Sequence, residues 1–379
     1  MAHSDAEHDL GIIGGGIIGA AAAAYAAESG LRVVLFEQAE IAAGASGRNS
    51  GAVQSQFDAV FAALHVRSVE LYRESAVADA GFELPASPSG LMLLSFDEDA
   101  VKATQAAIAD DWPGLRPEFL AVGDPARREP ALHPELAACR LETGYPVAPA
   151  AATTAFARRA VAAGASIVTA SQAAVAVADD GGRAVGIRVD HSTIDCNRVL
   201  VAAGPWTPDL VPGWAAVRAI RAVWGVVAST TIPASPRHIL EELGIGHGSE
   251  MSGRLFSLVT VGGKASVGST FIEAVPDEQA LAREVVARGA RFVPALAAAE
   301  IESVRACARP ASFDGRPIIG AVPEVENLFV CAGHGPWGIS TGPASAELIV
   351  AQMRGLATES PELSPSRIGA SSAANTEFA

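Results

Sequence analysis

DLGIIGGGIIGAAAAAYAAESGLRVVLFE, residues 9–37, carries an apolar run from Leu10 to Ile13 that leads into Gly14-Gly15-Gly16-Ile17-Ile18-Gly19. An alanine-rich segment follows, then Gly30 and a second apolar run, Val33 to Phe36, ending in Glu37. This order predicts strand, tight turn, helix and strand. Gly14 lets the chain turn sharply, Gly16 lets backbone N–H groups approach a pyrophosphate, and Gly19 lets the helix pack closely on the sheet. Ile17 and Ile18 begin the helix, whose N-terminus turns its partial positive charge toward phosphates. Glu37, followed by Gln38, lies 18 residues beyond Gly19, where a carboxylate accepts hydrogen bonds from ribose hydroxyls. A glycine turn set between strand and helix, with the acid at this distance, predicts a bound dinucleotide.

Working outward, the chain has 379 residues, enough for a large core and about two domains. Half of the residues are hydrophobic and 18% are charged, a globular composition. The net charge of −15 argues against nucleic acid or an anionic membrane as partner, but leaves room for an anionic small substrate beside local arginines. The apolar stretch from Ala20 to Ala27 is far shorter than a membrane span, and the first nine residues are polar and acidic. Cys139, Cys196, Cys307 and Cys331 are scattered without metal-ligand spacing, so the expectation is reduced thiols in a cytoplasmic protein and no metal site.

After Glu37, the segment Ile41 to Gly51 is too rich in glycine and small polar residues for a regular element at its start, and offers donors to a phosphate or a polar ring edge. Residues 58–80 read as a helix, Leu91 to Leu94 as a buried strand, Ala100 to Asp110 as a helix and Pro113 to Pro134 as loops. Gly144 to Pro149 is a candidate domain crossing, and Thr153 to Ala163 a helix closed by Gly164. Short strands follow at 167–168, 173–178, 184–189 and around Ile194, with a hairpin turn at 180–182. Strands are expected at 198–203, 223–229, 255–261, 265–268 and 328–331, and helices at 277–293 and 342–353. Residues 358–379 are expected to be a disordered tail.

Five stretches then carry a family: the glycine turn with Glu37, GASGRNSG at 44–51, VLVAAGPW at 199–206, RPASFDGRPIIG at 309–320 and CAGHGPWGISTGP at 331–343. Together they resemble the FAD-dependent amine and amino-acid oxidoreductases of the D-amino-acid oxidase family, most closely its glycine oxidase and sarcosine oxidase members. The resemblance implies an α/β fold: a Rossmann-like FAD-binding domain from 1–60, 142–215 and 302–357, interleaved with an α+β, antiparallel-sheet substrate domain from 61–141 and 216–301. It implies that Ala45, Ser46, Arg48 and Asn49, with Ser50, Gly51 and Ala52, meet the pyrophosphate and ring region. It also places the backbone of Val175 at the adenine, with Gly204 and Trp206 further along the cofactor. The stretch Gly333, His334, Gly335, Pro336, Trp337, Gly338, Ile339 would lie at the flavin's pyrimidine edge, its N–H groups stabilising negative charge there.

The resemblance makes Arg309 the clamp for a substrate carboxylate, a task its forked donors suit; the alternative is a structural ion pair with Asp314. His334 is a candidate base, with a structural role beside the flavin as the alternative. Cys307 stands where sarcosine oxidases attach flavin, while Arg309-Pro310 resembles the branch with non-covalent FAD. Ser266 and Trp337 occupy positions of sarcosine oxidase lysines, which implies a quinone or carrier as electron acceptor beside oxygen. The expected activity is oxidation of the C–N bond of a small amino acid or N-substituted glycine, by hydride transfer to flavin N5, with the imine hydrolysed to an oxo-acid. The alternatives are dehydrogenation of a 2-hydroxy acid or polyamine, or a flavin-binding subunit of a larger complex. Association with further copies of the chain stays open.

Overall fold

The computed structural model describes residues 6–211, 214, 217–218, 220–244 and 253–371. Its first layer is a six-stranded sheet in the order Ile318–Ala321, Leu328–Ala332, Val199–Val201, Leu10–Ile13, Val33–Phe36, Ser166–Val168. All neighbours are parallel except the first pair. Leu10–Ile13 and Val33–Phe36 are buried throughout, because such a sheet is covered on both faces. Ile12 and Leu35 face the helices Ile17–Glu28, Pro149–Ala162 and Gly338–Met353. Ile13 and Val34 face the antiparallel meander Ala173–Val177, Ala184–Val189, Ser192–Asp195. The alanines of the first helix leave it buried nearly all round, close against both helical neighbours.

The second layer is an eight-stranded sheet: Ser303–Ala311, Arg221–Thr230, Lys264–Phe271, Gly253–Val261, Ile239–Glu242, Leu91–Ser95, Ala137–Leu141, Glu118–Leu120. Its pairs are antiparallel apart from Ile239–Glu242 with Leu91–Ser95. The helix Glu278–Gly289 covers one face, where Phe256 stacks on Phe292 at 4.8 Å. At the far end of the other face, the helix Glu98–Asp111 packs Val101 and Ile108 on Leu91 and Leu93.

Three features correct the expected layout. Residues 303–311 pair along their whole length with Arg221–Thr230, so they belong to the eight-stranded sheet and not to the six-stranded one. The helix Ala59–Ala78 docks in the other direction: Val69 and Tyr72 join the core under the six-stranded sheet, and the Tyr72 hydroxyl donates to Ile339 O at 2.7 Å. Residues 358–371 are not a loose tail. Leu363 accepts from Ile319 N, Glu359 from Ala321 N, Arg367 pairs with Asp314, and a helix spans Ser366–Ser371. Leu363 and Ile368, five residues apart among polar and small residues, form no period that would reveal this docking. Residues 372–379 lie outside the described residues.

Candidate active site

The glycines of the opening turn have separate physical roles. Gly14 adopts φ +115°, and a Cβ there would sit 2.5 Å from Ala202 O. A Cβ at Gly19 would sit 1.9 Å from Gly14 O, so the helix can approach the turn only without one. Gly16 faces Ser46, whose Oγ accepts from Ile17 N at 2.9 Å. The helix has no side-chain cap and no acid in its first turn, so its positive end stays open to an anion. Glu37 accepts from Gly15 N at 2.6 Å and Ala39 N at 2.9 Å, which fixes its carboxylate beside the turn.

The segment expected to be irregular holds a one-turn helix, Ala45–Arg48. Asn49 closes it: its Nδ2 donates to Ala45 O and Ser46 O, and its Oδ1 accepts from Gly51 N. On the other wall, Gly335–Trp337 forms a 3₁₀ turn into the helix Gly338–Met353, which likewise lacks a side-chain cap or a first-turn acid. Two open helix N-termini therefore serve one groove.

That groove is a cleft of about 830 Å³ running between the two sheets. Gly14, Gly16, Ile17, Ile18, Glu37 and Gln38 line one stretch of it, and Ala45, Ser46, Arg48 and Asn49 the next. Gly204 and Trp206 stand at its rim, and Arg309, His334, Gly335, Pro336, Gly338 and Ile339 line the rest. Gly19, Ser50, Gly51, Ala52, Gly333 and Trp337 adjoin these segments in the chain and are not among the lining residues. Gly51 fits closely over Val147 O, and Ala52 pairs with Pro146. The Val175 side chain is buried in the core, while its neighbours Ala173 and Ala174 reach the cleft. Sequence reasoning missed Arg188 and Asp190 at that end; Trp224 lines the other. No motif marks them; only the packing of the meander and the second sheet brings them in.

Arg309 is the most telling side chain in the cleft. It is buried, and burial lowers its pKa from the usual arginine value. Its Nη1 donates to Thr270 O at 2.8 Å, its Nη2 to Ser269 Oγ at 2.5 Å, and its guanidinium lies 4.5 Å from the centre of the Phe271 ring. No acid among the described residues pairs with it. The alternative partner, Asp314, is held by Arg367 at 2.8 Å and by Ser312. A buried cation without a counter-charge is costly, and an anionic ligand relieves that cost.

His334 is not a base for this cleft. Its Nε2 bonds Ser345 Oγ at 3.0 Å, its Nδ1 is buried without a partner, and burial pushes its pKa down to about 3. The ring is buried and tied to Ser345, and burial favours its neutral form. Cys307 lies on the same strand face as Arg305 and Arg309 and is buried at the cleft wall. Ser266 Oγ accepts from Arg305 Nη2 at 3.0 Å, whereas Lys264 pairs with Glu302 at the surface. Among the described residues, no His/Cys/Asp/Glu group could hold a metal ion, and no helix is long and apolar enough to cross a membrane.

The cleft fits a dinucleotide: two open helix ends, a serine hydroxyl facing a glycine, and a carboxylate at the first strand's neighbour line one continuous groove. The profile of the FAD dependent oxidoreductase family matches residues 9–352. Glycine oxidase of Geobacillus kaustophilus is 27% identical over 364 residues, covering 90% of this chain and 92% of its own. The solved glycine oxidase of Bacillus cereus superposes with a TM-score of 0.81 at 24% identity, over 93% of this chain and 96% of its own. L-proline dehydrogenase of P. horikoshii gives 0.82 at 22% identity, over 96% and 98%.

Proposed function

The chain belongs to the family of FAD-dependent oxidoreductases, and from that premise we propose that it oxidises the C–N bond of a small amino acid or N-substituted glycine. The observation that carries this reading is the buried guanidinium of Arg309, unpaired with any described acid, in the wall of the cofactor cleft. A carboxylate is the ligand whose planar pair of acceptors matches it. The glycine oxidases among the relatives act, by name, on an amino acid, which agrees in chemical class.

FAD, when bound, supplies the hydride acceptor. The chain's own residues would do the rest. Gly16, Ser46 and the start of the helix Ile17–Glu28 hold the pyrophosphate, Glu37 the ribose, and the open end of the helix Gly338–Met353 the anionic edge of the ring. Arg309 fixes the substrate carboxylate and so the α-carbon, and holding the reacting atoms in place supplies much of the rate. Since His334 is neutral and sealed away, no side-chain base is assigned; a neutral substrate amine provides the electron pair itself, and water hydrolyses the imine. FAD is held non-covalently, and oxygen or a quinone-type carrier takes the electrons. Four buried free cysteines agree with a reducing, cytoplasmic setting.

An anaerobic screen tests this. Glycine, sarcosine, proline, larger amino acids, 2-hydroxy acids and plain amines are added to the holoenzyme, and flavin bleaching is followed. Bleaching by amino acids, with an oxo-acid product, is expected. Bleaching by hydroxy acids or polyamines alone would reject the reading.

A further inference from the structure

The carboxylate reading rests on Arg309, and the structure shows an unusual device around that side chain. Arg309 lies on the strand Ser303–Ala311, yet both of its recorded hydrogen bonds reach Lys264–Phe271, two strands away. The strand Arg221–Thr230 lies between them. The side chain crosses it at Gly225: a Cβ there would lie 2.1 Å from Nη2, 2.3 Å from Cζ and 2.6 Å from Nη1. Only glycine leaves this passage open.

The far strand is shaped to receive the guanidinium. Ala228 pairs with Val267, but Trp224 pairs with Ile272, so Lys264–Phe271 carries one extra residue across this interval. That is a β-bulge, which re-aims groups that a regular ladder would consume. Thr270 shows the effect. Its hydroxyl, not its backbone, bridges to the middle strand, accepting from Val226 N at 3.0 Å and donating to Trp224 O at 3.2 Å. Its carbonyl is thereby free for Arg309 Nη1, and the adjacent Ser269 hydroxyl takes Nη2. Two of five N–H donors are used, and three remain for a ligand.

We propose that Gly225 and Ser269 are positioning residues for substrate recognition: with the bulge they hold the Arg309 guanidinium across the sheet as a preformed receptor for a carboxylate. A long, flexible arginine otherwise has many rotamers, and fixing one before binding removes that entropy cost from the encounter. The device selects for a carboxylate, through Arg309, and is indifferent to the remainder of the substrate.

The test uses the holoenzyme and acetate, glycolate and benzoate as probes, with Kd read from the perturbation of flavin absorbance. Gly225→Ala is expected to weaken all three by at least roughly 30-fold, as displacing one partner of a buried charge pair does. Ser269→Ala should weaken them roughly tenfold or more, the effect of losing one hydrogen bond to a charged group, and Ser269→Thr should restore binding. In an Arg309→Met background, where the probes no longer bind, Ser269→Ala should leave Tm and bound FAD unchanged, whereas a general packing role would lower them. No response of the wild type, or a response retained by Arg309→Met, rejects the carboxylate clamp itself. Loss of binding in Arg309→Met with wild-type Kd values in Gly225→Ala and Ser269→Ala overturns the positioning role while leaving the clamp in place. If Gly225→Ala fails to fold, the Ser269 pair alone decides.

Discussion

Arg309 separates two explanations that a sequence cannot separate. Buried arginines usually serve a neighbouring acid, and Asp314 stands only five residues away. The fold sends Asp314 to Arg367 and carries Arg309 across a strand to backbone and hydroxyl acceptors. Arg309→Met should therefore lower kcat/KM for acidic substrates by roughly 30- to several-thousand-fold, from the 2–5 kcal/mol typical of breaking such a buried pair. FAD should stay bound, and an amine of the same skeleton without the carboxylate should lose little. Equal losses on acid and amine would mean that Arg309 supports the fold or the flavin. Cys307 invites a second residue-scale test. Its thiol is buried at the cleft wall, on the same strand face as Arg305 and Arg309, and the Arg309-Pro310 that follows resembles the branch with non-covalent FAD. Denaturation should release all of the flavin into the supernatant; flavin that remains on the chain, and is lost in Cys307→Ala, would reverse this.

Among the elements, the short strand Ile239–Glu242 is tied to the segment after Ala52–Val53 through one buried acid. Glu241 accepts from Gln54 Nε2 at 2.9 Å, and its second oxygen and the Gln54 side-chain oxygen are both buried without a partner. One proton on Glu241 can serve both. Burial raises its pKa from 4.5 to about 7, and no charged neighbour offsets this; Leu93 and Ser257 flank it on the adjoining strands. Because the folded protein binds this proton more tightly than the unfolded chain, stability falls as pH rises between about 4.5 and 7, by about 3 kcal/mol in all, and is level above that. Glu241→Gln should flatten the pH dependence of denaturant midpoints in this window; an unchanged slope would place the proton elsewhere. This strand also shows where reading by pattern stops. Leu10–Ile13, Val33–Phe36 and the helix between them were legible because glycine spacing and apolar runs are local signals. The strand around Glu241 was missed because a buried carboxylate breaks the apolar pattern, and its justification is Gln54, nearly two hundred residues earlier. Likewise the bulge near Ser269 has no local signature, and only the register of two strands reveals it. His334 shows the opposite case: its flanking glycines point to a tight loop, and the buried ring bonds Ser345, in keeping with the structural alternative.

At the scale of the whole molecule, the cleft is the boundary between two sheets. One wall is the glycine turn and the two open helix ends; the other is the strand Ser303–Ala311 with Trp224. Strand Ser303–Ala311 continues through Ala311, which bridges to His334, so the chain itself passes from one wall to the other at the substrate end. A dinucleotide lying along this groove touches both layers and is expelled when either opens. Its binding free energy is therefore added to the stability of both sheets together. At FAD a hundredfold above Kd the gain is about 2.7 kcal/mol, which for a chain of this size is a rise of roughly 3 °C in Tm. Intrinsic tryptophan fluorescence should report it as one transition, since Trp206 and Trp224 both line the cleft. Stripped of FAD, the protein should melt lower and recover on re-addition of the cofactor. If FAD shifted only one of two separate transitions, the cofactor would be bound by the six-stranded layer alone. The cleft would then not be the place where substrate, held from the second sheet by Arg309, meets the flavin.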